Sequence, residues 1–216
     1  MGYNAIIFDL DGTLLDTIED LADSMNHVLR SFGFKGHSIQ AYKSFVGEGI
    51  DILSRRALPP ENRNEEMIAR CVAAMREEYG RRWDQKTRPY PGIPELLDAL
   101  SQRELPMAIL SNKPNDSSQM VVAKLLPRWS FNIIFGARSS IPKKPHPAAA
   151  LEIAELMHLA PEEFLYLGDT GTDMKTATGA GMFPVGALWG FRSAQELIAQ
   201  GARVLIEHPL DLLQYL

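Results

Sequence analysis

A single cysteine, Cys71, occurs in the 216 residues, so no internal disulfide is possible. It sits in a helical-looking stretch without a catalytic partner and reads as a packing residue. A chain of this kind suits a reducing cytoplasm. Lys and Arg form no long run and the net charge is -5, which argues against a nucleic-acid partner. No apolar run reaches the roughly 18 residues of a membrane helix, so no membrane partner is expected. A basic start with a small-residue cleavage site is missing, and Ile6 stands where a myristoylated N-terminus wants Ser or Thr. Gly47 and Gly49 lack a third glycine at the dinucleotide spacing, because position 52 is Ile; this excludes a nicotinamide loop. Internal repeats and low-complexity tracts are missing too.

What remains is 45% hydrophobic and 23% charged, enough to bury a real core in one large domain or a domain with an insert. The apolar run Ala5-Ile6-Ile7-Phe8 predicts a buried strand over about Ala5 to Leu10. From Asp16 the character turns helical. Leu21, Met25, Val28 and Leu29 recur at helical spacing, and the pattern continues to about Trp83, with breaks at Gly47-Glu48-Gly49 and Pro59-Pro60. After the proline-rich return Lys86 to Gly92, strands and helices alternate. Strands are expected at 106–110, 133–135, 164–167, 183–188 and 204–206. That alternation predicts an α/β fold: a Rossmann-like, doubly wound parallel sheet, covered on both faces, with an inserted all-helical segment. The expected division is a core of 1–15 and 85–216 and a helical cap of 16–84.

Polar residues gather after four of these strands. Asp9 and Asp11 follow the first, and Ser111-Asn112-Lys113 the second. Lys143-Lys144 follows the third, and Gly168-Asp169-Thr170 to Asp173 the fourth. In a parallel sheet these positions share one edge, where ligands bind. Two carboxylates two residues apart in extended chain face the same way, and burying them needs positive charge between them. Gly12 lets the chain turn there, and Thr13 adds a hydroxyl in support.

The run Asp9-x-Asp11-Gly12-Thr13-Leu14 resembles the opening motif of the haloacid dehalogenase superfamily, in its phosphatase branch. Ser111, Lys144, and Asp169 with Asp173 match the three later motifs in order. The resemblance implies that Asp9 is a nucleophile forming an aspartyl-phosphate and Asp11 a general acid/base. It implies phosphate contacts from Ser111, Asn112 and Lys144. It also implies Mg2+ held by Asp9, the backbone carbonyl of Asp11, and Asp169, with Asp173 acting through water or by orienting its neighbours. These residue types suit such chemistry: hard oxygen ligands take magnesium, and a lysine stabilises developing phosphoryl charge. Lys144 is preferred to Lys143 because it directly precedes Pro145.

Val46-Gly47-Glu48-Gly49, Tyr90-Pro91-Gly92 and Trp189-Gly190-Phe191 make the chain similar to phosphoglycolate phosphatases within that superfamily. The implied activity is hydrolysis of a small phosphate monoester. Gly47 and Glu48 in the cap are the candidate specificity residues, with Arg55 or Arg56 as possible contacts for an acidic substrate. A phosphomutase on a sugar phosphate, or a non-catalytic binding protein on the same fold, remain as alternatives. A dehalogenase is disfavoured, since those relatives keep no acid at the position of Asp11. The expected partner is a small phosphoester, and the expected state a monomer or homodimer.

Overall fold

The computed structural model describes residues 2–216. In chain order the elements are Ala5–Phe8 (β1), Leu15–Asp16 (β2), Ile18–Ser31 (α1), Ile39–Phe45 (α2), Ile50–Ala57 (α3), Glu65–Arg82 (α4) and Arg88–Pro89 (β3). Then follow Ile93–Gln102 (α5), Met107–Pro114 (β4), Asn115–Leu125 (α6), Ile133–Ala137 (β5), Ala148–Leu156 (α7), Phe164–Gly168 (β6), Gly171–Ala180 (α8), Phe183–Ala187 (β7), Ala194–Ala199 (α9) and Val204–Ile206 (β8). Short 3-10 turns occur at Pro60–Asn62, Pro161–Glu163 and Pro209–Tyr215.

The chain divides into two compact units: residues up to Leu15 together with Pro89–Leu216, and Asp16–Arg88. The first unit is built on a six-stranded sheet in the order β5-β4-β1-β6-β7-β8. Every neighbouring pair is parallel. Parallel strands buried on both faces read as unbroken apolar runs, and Ala5, Ile6, Ile7 and Phe8 are all fully buried. On one face Ala5, Ile7, Ala108, Leu110, Phe164 and Tyr166 pack with Ala150, Ile153 and Ala177 of α7 and α8. β1 lies between β4 and β6, so the chain leaves it in opposite directions. This switch point opens a crevice at the carboxyl ends of those strands.

Several strand ends differ from the sequence expectation, and two of them bear on the polar residues. β1 stops at Phe8, short of Leu10, because the chain then curls: Leu14 and Leu15 N–H both donate to the Leu10 carbonyl, and Gly12 N–H donates to that of Leu15. β4 instead runs on through Ser111, Asn112 and Lys113 to Pro114, past the expected end at Leu110. Its register with β5 breaks between Leu110 and Pro114. The polar residues expected to follow this strand instead continue it, buried. α8 begins at Gly171, where the Asp173 carboxylate accepts from Thr170 N–H at 3.1 Å and caps the first turn.

The second unit is helical. α1 turns Leu21, Met25, Val28 and Leu29 inward, and Ile68, Cys71 and Met75 of α4 are buried as well. Cys71 Sγ lies 3.7 Å from Met25 Sδ in this packing. Asp20, buried on α1, accepts from Lys86 N–H at 2.9 Å, Thr87 N–H at 2.8 Å and Thr87 Oγ1 at 2.8 Å. Three donors repay the desolvation of this carboxylate and tie the end of the segment to its first helix. Between α2 and α3, Gly47 and Gly49 have φ of 110° and 92°, a region open to glycine and strained for other residues. No helix of the described residues is long and apolar enough to cross a membrane.

Candidate active site

Asp9 follows β1 directly and is only 5% exposed. Its own loop holds it, as Leu10 N–H donates to Oδ1 at 2.7 Å. Lys144 Nζ reaches Asp9 Oδ1 at 2.8 Å and Asp173 Oδ1 at 2.6 Å, and donates to the Leu110 carbonyl at 2.9 Å. This lysine is buried, and the cost of burying its charge is more than offset by Asp173 and Asp9, which hold its pKa well above the ordinary value. Asp9 is shifted in the same direction, toward its protonated form. Burial and the charge of Asp173 raise its carboxyl well above the usual range, against the pull of Lys144.

Asp169 directly follows β6 and is fully buried. Thr13 Oγ1 donates to its Oδ1 at 3.0 Å, and Phe191 N–H to its Oδ2 at 2.8 Å. Burial and the charge of Asp173 raise its pKa to about 7 despite these two donors. The backbone must come very close on both sides of this carboxylate. A Cβ at Gly12, where φ is 92°, would lie 2.4 Å from Asp169 Oδ2; one at Gly190 would lie 2.3 Å from Asp169 Cβ. Asp173 sits on the first turn of α8, with its Oδ2 accepting from Thr170 N–H at 3.1 Å and Thr170 Oγ1 at 2.6 Å.

Asp9, Asp169 and Asp173 each place a carboxylate oxygen within 4.8 Å of the others. Three buried carboxylates beside one lysine leave negative charge in excess, and the donors are all hard oxygens. That set fits a magnesium ion by its chemistry. Asp11 brings no carboxylate to this group. Its side chain turns to Lys113, whose Nζ lies 3.0 and 2.9 Å from the two oxygens.

The expected phosphate contacts divide into two kinds. Ser111 is buried, and its Oγ accepts from Lys113 N–H at 3.2 Å, which leaves its hydroxyl proton to donate. The Asn112 side chain is turned to another task. Its Oδ1 accepts from Lys144 N–H at 2.9 Å, and its Nδ2 donates to the Lys144 carbonyl at 3.0 Å. Asn112 thereby braces the loop that carries the lysine, and contact of its side chain with phosphate is not what this geometry offers. Lys143 is exposed, whereas Lys144 is 4% exposed.

Gly47 and Glu48 lie in the helical unit. There Glu48 is ion-paired with Arg56, whose guanidinium also donates to the Phe45 carbonyl at 3.2 Å. Arg55 pairs with Glu65 at 2.8 Å. Both arginines that sequence reasoning offered to an acidic substrate are therefore engaged with local carboxylates.

Sequence reading named Lys113 and Thr170 among the polar residues after the strands but gave no role to either, nor to the backbone N–H of Phe191. Lys113 stands two residues after Ser111 in an extended strand, a spacing that puts both on one face and was the available signal. Thr170 and the backbone N–H of Phe191 had none, since a hydroxyl or an amide next to a carboxylate is visible only once the chain is folded. Trp189 Nε1 donates to the Thr13 carbonyl at 2.9 Å, tying the first motif to the loop after β7.

Comparison with known proteins places the chain in a family. The family model for haloacid dehalogenase-like hydrolases matches residues 6–187, and the chain belongs to that family. Its relatives include a phosphoglycolate phosphatase of Aquifex aeolicus, 31% identical over 97% of this chain and 94% of that protein. A crystal structure from Lactobacillus delbrueckii subsp. bulgaricus superposes with a TM-score of 0.92 at 30% identity, covering 98% of this chain and 97% of that one. A predicted phosphoglycolate phosphatase from Haemophilus somnus superposes with a TM-score of 0.90 at 27% identity, over 98% and 97% of the two chains. The chain is a phosphoric monoester hydrolase of the phosphoglycolate phosphatase-like branch.

Proposed function

We propose that this phosphatase hydrolyses a small acidic phosphomonoester, with 2-phosphoglycolate as the type substrate, through a phosphoryl group carried on Asp9. The observation that carries this reading is the grouping of Asp9, Asp169, Asp173 and Lys144 at the switch point of the sheet, with Asp11 beside it on Lys113. Asp9, Asp169 and the backbone carbonyl of Asp11 would hold Mg2+, with Asp173 acting through water or by orienting its neighbours. When bound, the ion would supply Lewis-acid polarisation of the phosphoryl oxygens and offset their repulsion from the nucleophile.

The side chains do the rest. An oxygen of Asp9 attacks phosphorus, and the bond from phosphorus to the ester oxygen breaks. Lys144 and the Ser111 hydroxyl stabilise the charge on the transferred group. Asp11 gives its proton to the departing oxygen. It then takes one from the water that cleaves the acyl-phosphate, which returns Asp9 and releases phosphate. Asn112 keeps Lys144 in place, and Thr13 and Phe191 N–H keep Asp169 in place.

The helical unit Asp16–Arg88 takes the part of a cap segment in this reading, with Gly47 and Glu48 tuning the choice of leaving group. The setting is cytoplasmic and the working form a monomer or homodimer. A screen over small phosphoesters with and without Mg2+ tests the reading. Magnesium-dependent release of phosphate, greatest from 2-phosphoglycolate, is the expected result. Conversion of a sugar 1-phosphate into its isomer would make the protein a mutase instead, and no turnover of any ester would make it a binding protein.

A further inference from the structure

Two lysines reach the strand-end site, and the chemistry outlined above uses only one. Lys144 is committed to Asp9, Asp173 and the Leu110 carbonyl. Lys113 holds both oxygens of Asp11, at 3.0 and 2.9 Å, and its side chain is 5% exposed. Burying an ammonium is costly, and the carboxylate it meets is itself 21% exposed. The pair thus has a dry end on Lys113 and a wetter end on Asp11, where a substrate would arrive.

The direction of the reaction assigns the two ends. Attack by Asp9 sends the leaving oxygen to the far side of phosphorus, roughly in line. Asp11 must come within about 2.6–3.2 Å of that oxygen to protonate it. Lys144 therefore serves the phosphoryl end, and Lys113 the leaving-group end. In 2-phosphoglycolate one methylene separates the leaving oxygen from a carboxylate. Bringing that carboxylate into a site that already gathers Asp9, Asp169 and Asp173 is unfavourable unless a cation lies beside it. An ammonium is a compact point charge with rotatable donors, able to face two carboxylates at once. We propose that Lys113 recognises the carboxylate of the leaving group, so that the core site itself selects acidic phosphoesters. The extended run of β4 sets Ser111 and Lys113 on one face, Lys113 N–H bonds Ser111 Oγ at 3.2 Å, and one strand thereby reads both ends of the substrate.

This proposal rests on the roles given above to Asp9 and Asp11, and its test separates the two. The substrates are 2-phosphoglycolate and 2-hydroxyethyl phosphate, which differ by a carboxylate against a neutral hydroxymethyl group. Wild type should prefer the acidic ester in kcat/KM. Lys113→Met lowers activity on both esters, because Asp11 loses its partner. It should lower kcat/KM on 2-phosphoglycolate by a further roughly 10- to 100-fold, the span of one charge-assisted hydrogen bond, mainly through KM. Lys113→Arg should restore part of the preference. Equal losses on both esters would overturn the proposal and leave Lys113 as a positioning residue for Asp11. A wild type without preference for the acidic ester would instead overturn the substrate reading. Should Lys113→Met fail to fold, Asp11→Asn and Asp11→Asn/Lys113→Met supply the same comparison by titration calorimetry. The second removes the buried pair whole, and it should bind 2-phosphoglycolate at least tenfold more weakly than the first while the neutral ester binds both alike.

Discussion

Charges are held differently at the sheet edge of the first unit and around the turn between α2 and α3 of the second. At the sheet edge Asp9, Asp169, Asp173 and Lys144 are buried, and each meets at least two polar partners. In the helical unit the pairs Glu48–Arg56 and Arg55–Glu65 are partly or well exposed. Buried groups of the first kind cannot shift without leaving a charge unsatisfied, so they suit an unchanging phosphoryl chemistry. Exposed pairs contribute only about 0–1 kcal/mol each, so they can be rearranged at little cost to the fold. That contrast suits a division in which the core performs the reaction and the cap adjusts its range.

Substitutions can break this contrast, beginning with the nucleophile. Asp9→Asn should abolish turnover, since an amide is a poor nucleophile and a weaker metal ligand; near-normal phosphate release would refute its role. Lys144→Ala leaves Asp9 and Asp173 buried beside each other without their shared cation. It should cripple kcat and cost about 3–5 kcal/mol of stability. Lys143→Ala, on the exposed neighbour, should stay within about 0.5 kcal/mol. The reverse order in denaturation and steady-state kinetics would exchange the two lysines.

Asp11→Asn should slow hydrolysis of alkyl phosphates by roughly 10²–10⁴ through loss of proton transfer. Esters with very good leaving groups should suffer less in the phosphorylation step, and an equal loss would remove the general-acid role.

A smaller effect follows from Asp169, whose pKa is raised from 3.8 to about 7. Unfolded chain ionises this carboxyl near 4 while the metal-free fold keeps its proton. The group's contribution to stability is therefore present at low pH and is lost as pH rises from about 4 through about 7. Magnesium favours the ionised form, so the increase in Tm on adding Mg2+ should be larger at pH 8 than at pH 5. An equal increase at both would exclude Asp169 as a ligand.

The smallest effect belongs to the cap. Glu48→Gln should change stability by less than about 1 kcal/mol, the range of a partly exposed pair. It should alter the ranking of phosphoesters in kcat/KM more than it alters activity on p-nitrophenyl phosphate. A uniform fall across all esters would assign this loop to closure and not to selection.

How much of this was legible beforehand follows from the range of each interaction. Apolar runs such as Ala5 to Phe8 and Phe164 to Leu167 announce buried parallel strands, because both faces of such a sheet exclude water. The order of those runs, with acids and lysines after them, brought Asp9, Asp11, Ser111, Lys144 and Asp169 to one edge on paper. The spacing of apolar residues marked the helical segment in the same way. These are local properties, written within a few residues of where they act.

Other features depend on residues far apart in the chain. The sequence has Asn112 next to Ser111, but only folding sets its amide against the main chain of Lys144, 32 residues on. Lys113 meets Asp11 across 102 residues, and Phe191 N–H meets Asp169 across 22. β4 runs through its polar residues for the same reason: a polar side chain stays in a buried strand when distant partners satisfy it. The sequence alone determined which chemical groups stand at the ends of the strands, because strand formation and burial are read from neighbouring residues. The tertiary structure decided which of those groups hold one another, because a buried charge is stabilised by whatever the fold brings within about 3 Å, however distant in the chain.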